Sequence, residues 1–128
     1  MDEERRPRRV RILLADDHPV VRRGLRMWLE LEEDFEVVGE AADGEAAVRA
    51  AAALRPDVVV MDAAMPRLDG VAATAALRRV VPEVRVIVQS IHADAPTREG
   101  ALAAGAVAFF GKGTGAAALL AAIRRIVP

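Results

Sequence analysis

No cysteine occurs in the 128 residues, which excludes disulfides, thiolate metal sites and cysteine nucleophiles together and is compatible with a reducing cytoplasm. Serine and lysine are almost as scarce. Ser90 is the only serine, and Lys112 is the only lysine among 18 basic residues. Neither sign of charge prevails: 18 basic residues stand against 19 acidic ones for a net charge of −1, and the one basic run is "RRPRRVR" near the start. A general electrostatic grip on nucleic acid is therefore not indicated, and this chain alone is expected not to bind DNA. Long hydrophobic runs are missing too. None approaches the ~20 residues needed to cross a bilayer, and no signal-type apolar segment follows the polar "MDEERRPRR", so no membrane partner is expected. The length and the 53% hydrophobic content fit one globular domain, residues 9–128, behind a disordered polar tail at 1–8.

Five short apolar runs are present: "VRILLA" from Val10, "FEVVGEA" from Phe35, "DVVVMD" from Asp57, "VRVIVQ" from Val84 and "AVAFF" from Ala106. Each interval between them holds a segment with helical spacing, such as Val21, Leu25, Trp28 and Leu29 with Arg22, Arg23 and Arg26 on the other face. Pro19 suits a first helical turn, Asp43 can cap "GEAAVRAAAAL", Pro96 can open the next helix but one, and Gly105 fits a C-terminal cap. Runs such as "DVVVM" are continuously apolar, as burial on both faces of a parallel sheet requires. The pattern predicts a three-layer α/β domain. The period of the runs overlaps that of leucine-rich repeats, but the leucine and asparagine signature of those repeats is absent.

Ligands of an open parallel sheet bind beyond the carboxyl ends of its strands, so the residues that close the runs are informative. The first run ends in Asp16 and Asp17, the third in Asp62 and the fourth in Ser90, and the fifth reaches Lys112. Adjacent carboxylates repel and need compensation. The formal charges of Asp16, Asp17, Asp62 and Lys112 leave an excess of negative charge that a divalent cation would neutralise, and oxygen donors without thiolates favour a hard ion such as Mg²⁺. Beside such an ion a carboxylate can act as a nucleophile toward phosphorus, and Asp62 is the candidate.

At these residues the chain resembles the receiver domain of bacterial two-component response regulators. The matching pieces are "ADDH" at 15–18, "MDAAMPRLDG" at 61–70, "VQS" at 88–90, "AGA" at 104–106 and "FFGK" at 109–112. The resemblance implies a flavodoxin-like doubly wound (βα)5 fold, a five-stranded parallel sheet of order 2-1-3-4-5 with helices on both faces. It also implies a cytoplasmic phosphorylation switch rather than an enzyme, with Asp62 taking a phosphoryl group from a sensor histidine kinase. Mg²⁺ would be held by Asp17, Asp62 and the backbone carbonyl of Ala64, with Asp16 acting through a water. Ser90 and Lys112 would bond phosphoryl oxygens, and Ser90 with Phe109 would form the switch. The "DDHPVVRRGL" opening further resembles the NarL-like, or LuxR-type, transcription factors, which implies DNA binding through a C-terminal helix-turn-helix domain outside this chain, and possible homodimers.

Other readings give different expectations. A stand-alone or degenerate receiver would act by protein–protein contact. An Mg²⁺-dependent aspartyl-phosphate phosphohydrolase usually carries a second aspartate two residues after the nucleophile, where Ala64 sits. "GKGTG" fails the nucleotide-loop pattern, and the acidic first loop would repel the phosphate of FMN. Ile91, Gln89, Gly111 and Gly113 depart from the receiver pattern. Ile91 is expected to restrict access to the phosphoryl site, and the flanking glycines to loosen Lys112. Asp69 is read as a helix cap, His18 and His92 as loop or cap residues, and Trp28, Phe35 and Phe110 as packing. The last helix, "AAALLAAIRRIV", is apolar over much of its surface and is expected to support self-association.

Overall fold

The computed structural model describes residues 8–127, and five strands alternate with five helices along it: β1 Val10–Ala15, α1 Pro19–Leu29, β2 Phe35–Ala41, α2 Gly44–Leu54, β3 Val58–Asp62, α3 Gly70–Val80, β4 Arg85–Ser90, α4 Ala95–Ala104, β5 Ala108–Gly111 and α5 Ala116–Ile126. All neighbouring strands pair in parallel, in the order β2-β1-β3-β4-β5. This is the flavodoxin-like order expected above, with β3 and its terminal Asp62 in the middle. Most of the tail at 1–8 lies outside the described residues. Within them, the exposed Arg8 donates to Asp57 Oδ1 at 2.9 Å.

Two apolar layers sandwich the sheet. Leu13, Val59, Met61, Val86 and Val88 pack with Ala47, Ala51, Ala73, Leu77 and Ala101 of α2, α3 and α4. Ile12, Leu14, Val58, Val60 and Ile87 face the other way, against Leu29 of α1 and Leu119, Ala122 and Ile123 of α5. Alternate residues of one strand thus serve opposite layers, which is why the central strands read as unbroken apolar runs. Each fully buried valine, leucine or isoleucine contributes about 1.5–3 kcal/mol. That supply supports polar strand ends that contribute nothing of the kind.

Three runs start later as strands than their apolar sequence suggests. Asp57 is held by its side chain, which accepts from the backbone N–H of Arg11 at 2.8 Å, and its carbonyl accepts from Arg85. The extended pairing of β3 and β4 begins beyond those bonds. Ala106 donates to the carbonyl of Ala101 and so closes α4, with Gly105 at φ 115° as its cap, leaving β5 to start at Ala108. Asp43 and Asp69 cap α2 and α3 by accepting from Ala46 and Ala72, each at 2.8 Å. Asp94 does the same for α4, which therefore opens at Ala95, one residue before Pro96. Among the described residues no helix is long and apolar enough to cross a membrane.

The last helix is less exposed in character than its sequence suggests. Leu119 and Ile123 are buried, and its outer face carries Ala117, Ala121, Arg124 and Arg125. The large exposed apolar residues lie elsewhere, with Val20, Val21 and Met27 on α1 and Leu31 just beyond it. An amphipathic helix turns its bulkiest apolar side chains to the core, so the alanines that remain outside give little apolar area for a partner.

Gly70 opens α3 directly against the end of β3. A Cβ there would fall 1.9 Å from the carbonyl oxygen of Asp62 and 2.8 Å from its carbonyl carbon. Gly70→Ala is therefore expected to lower stability by about 1–3 kcal/mol through overpacking, and to displace Asp62. Urea unfolding of the two proteins measures the first effect, and the backbone amide shifts of Asp62 and Ala63 the second.

Candidate functional site

Four loops at the carboxyl edge of the sheet bring the chemistry together. Asp16 and Asp17 follow β1, Asp62 ends β3, Ser90 ends β4 and Lys112 follows β5. Register fixes much of this. Asp62 pairs with Gln89 and Ser90 with Gly111, so Lys112 leaves the sheet one residue beyond the end of β4. Gly111 holds an ordinary extended conformation at φ −70° and ψ 143°. That conformation is open to any residue, so the backbone itself does not require glycine there.

Lys112 sits between two of the carboxylates. Its Nζ donates to Asp16 Oδ2 at 2.8 Å and lies 3.3 Å from Asp62 Oδ2. Asp16 and Asp62 are both buried, at 6% and 5% exposure, so each needs this partner in a place where water is largely excluded. Burial acts to raise the pKa of Asp16, yet the hydrogen bonds from Lys112 and from the backbone N–H of His18 hold it below the ordinary carboxylate range. For Asp62 burial prevails. Its carboxyl is pushed above the ordinary value despite Lys112 and the Ala64 N–H, which donates at 3.2 Å, and the charge of Asp16 adds to the rise. Burial disfavours the charged Lys112, but its two carboxylate partners outweigh that and raise it.

Asp17 has the weakest compensation, its Oδ1 facing the His18 ring with Nδ1 at 3.1 Å. That Oδ1 is shut off from solvent and accepts no hydrogen bond of ordinary geometry. A buried carboxylate oxygen left in this state is costly unless a cation meets it, and the set of Asp16, Asp17 and Asp62 offers oxygens close together for one. The donor chemistry fits a hard divalent ion. Ala64 lies on the exposed loop after β3.

Ser90 is buried at 5% exposure, and its Oγ accepts from the backbone N–H of His92 at 3.1 Å. It lines a groove of about 420 Å³ beside the carboxylates, with Ala64, Asp69, His92, Asp94 and Thr97. A larger hollow of about 610 Å³ beside Glu32, Asp34 and Phe35 lies at the amino end of β2, away from this chemistry. Phe109 pairs in register with Val88 and is half-buried against the α2–α4 layer. Ile91 is 68% exposed next to Ser90.

Two participants escaped the sequence reading. His18 caps α1 without a side-chain cap bond, and its ring instead turns to the acids, with Nδ1 3.2 Å from Asp16 Oδ1 and 3.1 Å from Asp17 Oδ1. The signal was its place directly after the paired aspartates. Arg22, one turn into α1, donates to the backbone carbonyl of Asp16 and to Glu40 Oε1 and so ties the first loop to β2. Nothing in its helical spacing distinguished it from Arg23.

The sheet order and this edge of three acids and one ammonium define a receiver-type switch domain, and comparison with known proteins agrees. The chain belongs to the response regulator receiver domain family, whose model matches residues 12–124. It is 41% identical over 115 residues to the transcriptional regulatory protein LiaR of Bacillus subtilis, covering 90% of this chain and 54% of that protein. Among solved structures it is similar to a two-component response regulator of the LuxR family from Aurantimonas, at 36% identity and TM-score 0.88, covering 92% of this chain and 84% of that one. The response regulator domain of Thermotoga maritima CheB has 35% identity and TM-score 0.87, covering 93% and 96%. The chain spans about half the length of the curated relatives it matches. Domains of this family are signal switches that interact with histidine kinases, and they generally bind Mg²⁺ at an acidic pocket.

The raised pKa of Asp62 has a consequence for stability. A carboxyl whose folded pKa exceeds its unfolded one adds no penalty below the unfolded value, an increasing penalty as pH rises between the two, and the full penalty above the folded value. Without divalent cations, Asp62→Asn is expected to raise the urea midpoint at neutral pH, and the gain should shrink as pH falls through this window.

Proposed function

We propose that this chain is the phosphoacceptor domain of a two-component response regulator, with Asp62 as the residue that accepts the phosphoryl group. The observation that carries the reading is the position of Lys112 Nζ, 2.8 Å from Asp16 and 3.3 Å from Asp62 at the carboxyl edge of the sheet. An oxygen of Asp62 attacks the phosphorus of a phosphohistidine on a sensor kinase, the P–N bond breaks, and the imidazole departs with its electron pair, leaving an acyl phosphate on Asp62. Lys112 then exchanges its contact with Asp62 for one with a phosphoryl oxygen, and the Ser90 hydroxyl turns from the His92 N–H to donate to another. Phe109, beside Val88 in register, follows Ser90 and carries the change toward α4, β5 and α5. The same reading lets the domain catalyse its own phosphorylation from a small phosphodonor and its own dephosphorylation.

Mg²⁺ belongs to this reading, held by Asp17, Asp62 and the Ala64 carbonyl, with Asp16 acting through water. A bound divalent ion supplies the positive charge that offsets the carboxylates and the incoming phosphoryl oxygens. The buried Oδ1 of Asp17, which faces the His18 ring without a well-formed hydrogen bond, supports it. In the longer regulator the output is control of transcription through a DNA-binding domain outside this chain, as the name of LiaR suggests, with a cytoplasmic setting and homodimers as further parts of the proposal.

Incubation with acetyl phosphate is expected to add the mass of one phosphoryl group, dependent on Mg²⁺ and lost in Asp62→Asn. Absence of the adduct together with absence of Mg²⁺ binding would instead favour a degenerate receiver, and repeated turnover of a chromogenic phosphate ester a phosphohydrolase. Ile91 places a branched side chain beside Ser90, so Ile91→Ala is expected to speed both phosphorylation and loss of the phosphate. Unchanged rates in both directions, followed by intact mass, would show that Ile91 leaves access open.

A further inference from the structure

Asp16 stands where β1 turns into the site, and each of its polar groups has a partner. Its backbone N–H donates to the carbonyl of Ala41 at the end of β2, at 3.0 Å. Its carboxylate accepts from the His18 N–H and from Lys112. Its carbonyl oxygen accepts from Arg22 Nη1 at 2.5 Å. A peptide unit is planar, so a bond to this oxygen fixes the plane shared by the Asp16 carbonyl and the Asp17 N–H. That plane sets the direction in which Asp17 leaves the backbone. Asp17 needs such a reference, because its Oδ1 faces the His18 ring without a well-formed hydrogen bond.

Arg22 can supply the reference because it is itself held. Its Nε donates to Glu40 Oε1 at 2.6 Å, and the other oxygen of Glu40 accepts from Arg26 Nη1 at 2.6 Å, one turn further along α1. Arg26 donates in turn to Glu30 at 3.1 Å. Glu40 pairs in register with Leu14, two residues before Asp16, so the carboxylate that holds Arg22 is fixed to the same strand as the site. Arg26 first and then Arg22 keep Glu40 below the ordinary carboxylate range, and it remains ionised at neutral pH. A planar guanidinium that meets a carboxylate on one side and a carbonyl on the other has little freedom left. Its exposed neighbour Arg23 has no such place.

From this geometry we infer that Arg22, clamped by Glu40, is a positioning residue for the divalent cation: it holds the Asp16–Asp17 peptide so that both carboxylates meet one ion. The inference rests on the Mg²⁺ site of the proposed function and deepens it. Charge and geometry predict opposite signs here. Removing a cationic side chain near the site would by Coulomb's law strengthen the hold on Mg²⁺, whereas loss of a positioning residue weakens it.

Mg²⁺ would be titrated into the isotope-labelled chain and followed through the backbone amide shifts of Asp17 and Ala63, beside urea unfolding of each protein. The variants are Arg22→Ala, Glu40→Ala, the double variant and Arg124→Ala. Arg124 pairs with Asp34 and Glu32 before the amino end of β2, away from the site, and stands for the loss of ion pairs as such. The expected result is Mg²⁺ affinity lowered about tenfold in Arg22→Ala, a displaced Asp17 amide signal before any Mg²⁺ is added, and a smaller loss in Glu40→Ala. The double variant should lose no more than Arg22→Ala, since the two residues act through one bond. Arg124→Ala should bind Mg²⁺ as the parent does. Equal or tighter binding in Arg22→Ala, or an equal loss in Arg124→Ala, would overturn the inference while the Mg²⁺ site stands. Should Arg22→Ala not fold, Glu40→Ala decides against Arg124→Ala by the same comparison. If the parent itself binds no Mg²⁺, the metal site of the proposed function fails and this inference with it.

Discussion

One ammonium group held between two buried carboxylates is the constraint on which the rest of the structure depends. Lys112 reaches Asp16 and Asp62 from the last strand, while its partners come from the first and third. The three meet only if β5 lies beside β4, β4 beside β3 and β3 beside β1, in parallel and in the observed register. A slip of one residue in any pair would turn every side chain of that strand to the opposite layer. It would also separate the ammonium from the acids. The apolar packing that specifies register therefore specifies the charge arrangement as well.

The cost of the site is met by the layers around it. Crowded carboxylates, with the Oδ1 of Asp17 shut off from solvent, work against folding, and a chain selected only for stability would not keep them. Beneath them β1 and β3 are almost wholly buried, and α2, α3 and α4 cover one face while α1 and α5 cover the other. The strand ends are thus rigid where the chemistry requires precision. Arg22 adds a tie from α1 to the Asp16 carbonyl, and Gly70 lets α3 start in contact with Asp62. Conflict between local stability and the demands of a site is the usual mark of function.

The strands and their order were legible because burial on both faces leaves long apolar runs, and because each run ends in a residue that a core would reject. Caps at Asp43, Asp69 and Gly105 were legible for a local reason, since the backbone bonds they satisfy lie within a few residues. The strand starts at Val58, Arg85 and Ala108 were not, because Asp57, Val84 and Ala106 before them bond to a distant strand or to the end of the preceding helix. The role of His18 was hidden by a similar limit. Its side chain had two local uses, capping α1 or facing the acids, and only the three-dimensional position of Asp17 Oδ1 separates them. The make-up of the outer face of α5, alanines beside Arg124 and Arg125, was not legible because an apolar count does not separate small side chains from large ones.

The solitary lysine also makes the switch chemically addressable. Acylation of ε-amines is on most proteins a diffuse event spread over many surface side chains, but this sequence offers a single ε-amine for it, and that amine lies 3.3 Å from Asp62. Acetylation there would cancel the positive charge and leave Asp16 and Asp62 facing each other uncompensated.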